Sequence, residues 1–152
     1  MSVKILFFSR NGNSSRIANK LAKRMHSEVA IIKDDINWKG PIGFLKGGFF
    51  ASKWKTTNAR IEPDIQLEEY DKIVIVSPVW ANNVAPAVYS LILKEKKKIN
   101  RLCLIINNSG SDTNKAFENI KTKLGTIDDT FSITKSKKNE DMVIEEILRA
   151  IS

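Results

Sequence analysis

The sequence predicts an α/β fold: a doubly wound, five-stranded parallel sheet of order 2-1-3-4-5, with helices on both faces. Three observations predict it. Apolar β-rich runs alternate with helical patterns along the 152 residues. The runs at residues 3–8, 73–76 and 102–106 are almost continuously apolar, the mark of strands buried on both faces. Polar loops follow these three runs, the first, third and fourth of the five predicted strands, so all three loops fall at one edge of the sheet, where the crevice of such a fold opens.

The elements follow in order. A first strand covers residues 4–8. A helix over 13–26 places Ile17, Ala18, Leu21, Ala22 and Met25 on one face. A second strand lies at 28–33 and a third at 72–77. The helix at 84–97 opens near Pro86 and closes on Lys94, Lys96, Lys97 and Lys98, which suit the negative end of its dipole. A strand at 101–106, a helix at 113–124, a strand at 130–135 and a helix at 139–151 complete the pattern. No repeat, low-complexity tract or linker interrupts it, so residues 1–152 read as one domain.

The stretch at 37–61 breaks the alternation. It carries Trp38, Phe44, Phe49, Phe50, Trp54 and the glycines 40, 43, 47 and 48, with five Lys or Arg and no acidic residue. A connection this long is functional or partly helical, and 44–55 is its expected helix. Its aromatics cap one sheet face as core, or the segment serves as a lid over the crevice, a partner surface or a membrane-surface element.

Composition narrows the function. There are 25 Lys and Arg against 17 Asp and Glu, for a net charge of +8. Such a surface favours anionic partners, or is simply solvated lysine. No helix-turn-helix, zinc-finger or RNP-type motif accompanies the charge, so no nucleic acid is expected. No stretch approaches the ~20 apolar residues of a membrane span, and the first apolar run is too short and wrongly flanked for a signal peptide. The expected location is cytoplasmic. Cys103 stands alone inside an apolar run and reads as a buried thiol. His26, the single histidine, reads as a helix C-terminal dipole contact rather than a catalyst. No Cys-His cluster points to a metal.

Two loops carry the chemistry. The first is Ser9-Arg10-Asn11-Gly12-Asn13-Ser14-Ser15, between strand and helix. Unpaired first-turn N–H groups, the helix dipole, hydroxyls and amides suit a phosphate there, and Gly12 permits a close backbone approach. No P-loop lysine follows and no G-x-G-x-x-G is present, which leaves a monophosphate handle or a plain helix cap. The second is Ser77-Pro78-Val79-Trp80-Ala81-Asn82-Asn83, just past the third strand. Trp80 has no evident core partner there, and its indole suits stacking on a flat ring. Asn82 and Asn83 tolerate left-handed backbone, so a tight turn is expected.

S-x-[TN]-G-N-[ST] after strand one, S-P-V-W-A with A-P-A after strand three, and G-x-x-G-F-x-x-G-G at 40–48 together resemble the flavodoxin family, in particular its short-chain, single-domain members. The resemblance runs nearly the whole chain in order and spacing. It implies non-covalent FMN: Ser9, Asn11, Gly12, Asn13 and Ser14 at the 5′-phosphate, with Arg10 outward, and Ser77, Pro78, Val79, Trp80, Ala81 and Asn82 flanking the isoalloxazine. The loop Asn107-Asn108-Ser109-Gly110-Ser111-Asp112 would contact the flavin's other side, with Asn108, Ser109 and Gly110 as its expected ligands. Three departures stand out. Asn11 replaces the usual Thr, Asn82 replaces the common Gly near flavin N5, and the chain is basic where family electron carriers are acidic.

The reading that follows is an FMN-binding electron-transfer protein, a monomer or weak dimer, whose redox partner proteins are acidic. An alternative is an FMN-dependent NAD(P)H oxidoreductase acting on a small acceptor such as a quinone, with residues 37–61 binding the nucleotide's phosphates. A second is a flavin-free module for an acidic partner.

Overall fold

The computed structural model describes residues 2–110, 112–125 and 127–151. Its strands are β1 (Val3–Phe7), β2 (Val29–Lys33), β3 (Arg60–Glu62), β4 (Lys72–Trp80), β5 (Asn83–Val84), β6 (Leu102–Asn108) and β7 (Asp129–Thr134). Its helices are α1 (Asn13–Met25), α2 (Gly40–Ser52), α3 (Pro86–Glu95), α4 (Asn114–Leu124) and α5 (Lys137–Ile151). The main sheet runs β3-β2-β1-β4-β6-β7, with β5 paired to β4 alone. The five expected strands are parallel to one another and hold the expected relative order. The stated order needs correcting by two additions, an antiparallel edge strand β3 on β2 and the antiparallel β5 on β4.

Continuous apolar runs form the central strands because alternate residues enter two cores. Leu6, Ile73, Ile75, Leu104 and Ile106 join the core beneath α3 and α4, together with Trp38. Ile5, Phe7, Val74, Val76, Cys103 and Ile105 join the core beneath α1 and α5. A strand with polar residues on either side would expose neither face to water and would bury unpaired polar groups on one of them. The helical spacing in α1 delivers Ile17, Ala18 and Leu21 to the second core, and Val143, Ile144 and Ile147 of α5 meet them there.

His26 ends α1 through its backbone, in the left-handed conformation at φ 51°, donating its N–H to the Ala22 carbonyl. The lysines at 96–98 continue α3 as a single 3₁₀ turn. Within segment 37–61 the helix is α2, which starts and ends earlier than the expected 44–55, with Pro41 in its first turn. The segment's aromatics divide: Trp38, Phe50 and Trp54 pack on the core, while Phe44 and Phe49 stay exposed.

Candidate functional site

The three polar loops meet where β1, β4 and β6 end. They frame a cleft of about 240 Å³ lined by Arg10, Asn11, Asn13, Phe44, Pro78, Val79, Trp80, Asn107, Asn108 and Ser109. One end is amide-rich and the other apolar.

At the amide-rich end, Gly12 takes a left-handed conformation (φ 93°) as N-cap of α1, and a Cβ there would meet open space. Its N–H donates to the Ser9 hydroxyl at 2.9 Å, and the Asn13 N–H reaches Asn11 Oδ1 at 3.4 Å. The N-cap itself, a glycine, has no side chain to cap α1, and beyond the long Asn11 contact N–H groups of the first turn remain at the positive end of its dipole. Ser14 turns inward: its hydroxyl accepts a 2.7 Å hydrogen bond from Asn107 Nδ2. The same amide donates to the Ser77 carbonyl at 3.1 Å, so Asn107 ties all three loops together. Asn13 is held from behind, where Arg16 donates to its Oδ1 at 2.7 Å.

Arg10, expected to point outward, does not. Its guanidinium donates to the Trp38 carbonyl at 2.8 Å and the Gly40 carbonyl at 3.0 Å, and lies 5.6 Å from the centroid of the Phe44 ring. It staples the phosphate-type loop to the start of α2. An arginine fork matches the pair of carbonyls presented at the start of α2.

At the apolar end, β4 continues to Trp80 before a two-residue turn returns the chain as β5. Ala81 (φ 47°) and Asn82 (φ 60°) occupy the turn, the pattern of a type I′ hairpin. The tight turn was expected at Asn82 and Asn83, but Asn83 instead lies in β5. It is buried, donating to the Ala51 carbonyl at 2.8 Å and accepting from Asn119 at 3.0 Å. Trp80 does have core partners, contrary to expectation. It makes edge contacts with Phe8 and Trp38, with centroids 5.5 Å and 5.3 Å away, and lies against Gly47 of α2. The indole is therefore held in place and lines the cleft with its remaining surface.

Ser77 is fully buried. Its hydroxyl accepts from the Ala85 N–H at 3.1 Å and donates to the Pro78 carbonyl. On the third loop, Asn108 Oδ1 accepts from the Gly110 N–H at 2.9 Å and sets that turn, with Ser109 exposed beside it. Ser111 lies outside the described residues. Of the expected ligands, Asn11, Asn13, Pro78, Val79, Trp80, Asn108 and Ser109 line the cleft; Ser9, Gly12, Ser14, Ser77, Ala81, Asn82 and Gly110 shape it from behind or at its edge. Arg10, Phe44 and Asn107 are additions to the wall.

A larger groove of about 400 Å³ lies between the β3 edge and α3, lined by Arg60, Asp64, Glu68, Lys94, Glu95 and Lys98 among others. Its charges are of both signs and none of the three loops reaches it. Among the described residues, no cluster of His, Cys, Asp and Glu could hold a metal, and no helix is long and apolar enough to cross a membrane.

No family model matches the chain, and no curated protein matches it. Solved structures do. A flavoprotein in complex with FMN from Lactobacillus acidophilus NCFM superposes with a TM-score of 0.77 at 16% identity, over 95% of this chain and 97% of that one. A flavoprotein from Bacteroides eggerthii gives 0.76 at 15% identity, over 99% and 97%. A flavodoxin, WrbA-like protein from Agrobacterium tumefaciens gives 0.60 at 11% identity, over 98% and 94%. The chain has the flavodoxin-like fold.

Proposed function

We propose that this protein binds FMN in the cleft and carries electrons as a flavodoxin-family member. The observation that carries the reading is the composition of the cleft. An uncapped helix start with two amides stands at one end, a fixed indole with Val79 and Pro78 at the other, on the fold in which one solved neighbour holds FMN. A ligand with a phosphate tail and a flat apolar head matches that donor set.

In this reading the first-turn N–H groups of α1 and the amides of Asn11 and Asn13 hold the phosphate, and Arg16 keeps Asn13 oriented. Trp80 and Val79 flank the ring, while Asn107 keeps the loops in register. FMN supplies the redox chemistry when bound; the protein's part is to bind, orient and exclude water. No side chain is required as acid or base. The strongly basic surface supports acidic partner proteins.

The carrier reading is preferred to an NAD(P)H oxidoreductase. Segment 37–61 gives the cleft Phe44 but none of its lysines, which speaks against it as a nucleotide-phosphate site there. Titration of the protein with FMN, followed by the visible spectrum, tests the proposal. Wild type takes up FMN with a perturbed spectrum, and Trp80→Ala weakens uptake by about tenfold, the order expected for a lost aromatic stack. A protein that stays colourless overturns it in favour of a flavin-free module. Bleaching of the bound flavin by NADPH alone favours the oxidoreductase.

A further inference from the structure

Helix α2 is turned inside out relative to an ordinary surface helix. Its small residues Gly43, Gly47 and Ala51 face the protein, and of its bulky apolar residues Ile42, Phe44, Leu45 and Phe49 face water while Phe50 alone packs on the core. Ile42 is 77% exposed, Leu45 70% and Phe49 50%. Their spacing of three and four residues sets them in one ridge along the helix. A ridge of this kind costs solubility unless something covers it.

The surroundings of the ridge say what covers it. Lys46 and Lys53 follow it on one flank, and residues 37–61 contain no acidic residue. The wider face is equally one-sided. Residues 39–55, α3 with its 3₁₀ turn, and α4 together carry eleven lysines against two glutamates. The opposite face differs, because the cations of α1 meet carboxylates of α5 in the pairs Arg16–Glu140, Lys20–Glu140 and Arg24–Glu145. A second copy of this chain would bring lysine rim against lysine rim, an unfavourable pairing. The ridge is apolar at its crest with Lys46 and Lys53 along one side, a pairing of apolar and cationic groups that suits an anionic lipid headgroup layer.

We propose that α2 docks the protein on an anionic lipid surface. Ile42, Leu45 and Phe49 enter the acyl boundary and the lysines meet the headgroups. Phe44 of the same helix lines the cleft, so docking brings one wall of the cleft to the membrane interface.

Vesicle co-sedimentation tests this, with pure phosphatidylcholine and with phosphatidylcholine doped with phosphatidylglycerol. Wild type binds the anionic vesicles, and binding falls as salt is added. The Leu45→Ser/Phe49→Ser double variant, whose changes lie outside the core, keeps its circular dichroism and melting temperature but loses binding by about tenfold or more. Lys46→Glu/Lys53→Glu loses binding too and provides a second, independently folding variant. Failure of wild type to sediment with anionic vesicles overturns the proposal. So does binding that the apolar double variant leaves unchanged, which is surface charge attraction only. A dimer that dissolves in that variant, with no lipid binding, assigns the ridge to a second copy instead.

Discussion

The backbone of Gly47 in α2 lies against the six-membered ring of Trp80: a Cβ at Gly47 would stand 2.9 Å from both Cε3 and Cζ3. At Gly43, one turn earlier, a Cβ would collide with the backbone carbonyl of Trp38. The two glycines let α2 sit close against the Trp80 indole and the Trp38 backbone. Gly47→Ala therefore has to push the indole into the cleft or lift the helix. The expected cost is about 1–3 kcal/mol, as for other overpacked sites. Denaturant midpoint and tryptophan fluorescence report it, and FMN affinity falls alongside. A variant with unchanged midpoint, fluorescence and affinity shows that the contact is not tight.

The hairpin after Trp80 makes a separate prediction. Ala81 holds φ 47°, a region that costs a residue with a Cβ, and its side chain is exposed. Asn119 donates to the Asn82 carbonyl at 3.0 Å and keeps the turn from relaxing. Ala81→Gly relieves the strain but adds unfolded-state freedom. The net gain expected is about 0.5–1 kcal/mol, seen as a raised melting temperature. A destabilised Ala81→Gly would mean that the methyl group makes contacts worth more than the strain.

Much of the fold was legible because central strands must be apolar on both faces. Val74 and Ile75 enter different cores and could be recognised as strand residues without knowing which. β3 and β5 were not legible: three and two residues are too few for any periodicity to register. The loops at Asn11 and Trp80 could be read from their residue types and their positions after strands. Their backing could not. Arg10 finds its acceptors at Trp38 and Gly40, about thirty residues on, and Trp80 finds Gly47 in a helix whose glycines argue against helix formation. Those are tertiary pairings, and a local pattern carries no trace of them.

Cys103 sits at the centre of the sheet, fully buried. Burial pushes its thiol up to about 12, with Asp129 adding in the same direction and Lys72 opposing. The thiolate that attacks disulfide reagents is therefore scarce in the native protein. An aromatic disulfide reagent at neutral pH is expected to label native protein only as fast as it unfolds, and denatured protein at once. Rapid native labelling would contradict the burial of this strand.

Glu140 joins the second core to the site. Its carboxylate is buried on α5 and accepts from Arg16 at 2.7 Å and from Lys20, both on α1. Burial alone would raise it, but the hydrogen bonds from the two cations outweigh burial and hold the carboxyl below its ordinary value of 4.5. The sign follows from that direction. The folded state favours the charged form, so the stabilisation is fully present above about pH 4.5 and is lost as pH falls through the lowered folded value. Glu140→Gln keeps the shape and removes the charge. It is expected to cost about 1–3 kcal/mol near neutral pH, because both cations reach solvent and recover part of the loss. Its stability should also decline less steeply than wild type below pH 5. Because Arg16 donates to Asn13 Oδ1 as well, a freed Arg16 loosens an amide of the cleft. FMN affinity in Glu140→Gln should therefore drop even where the protein remains folded. An unchanged acid limb would detach Glu140 from stability, and an unchanged affinity would detach it from the cleft.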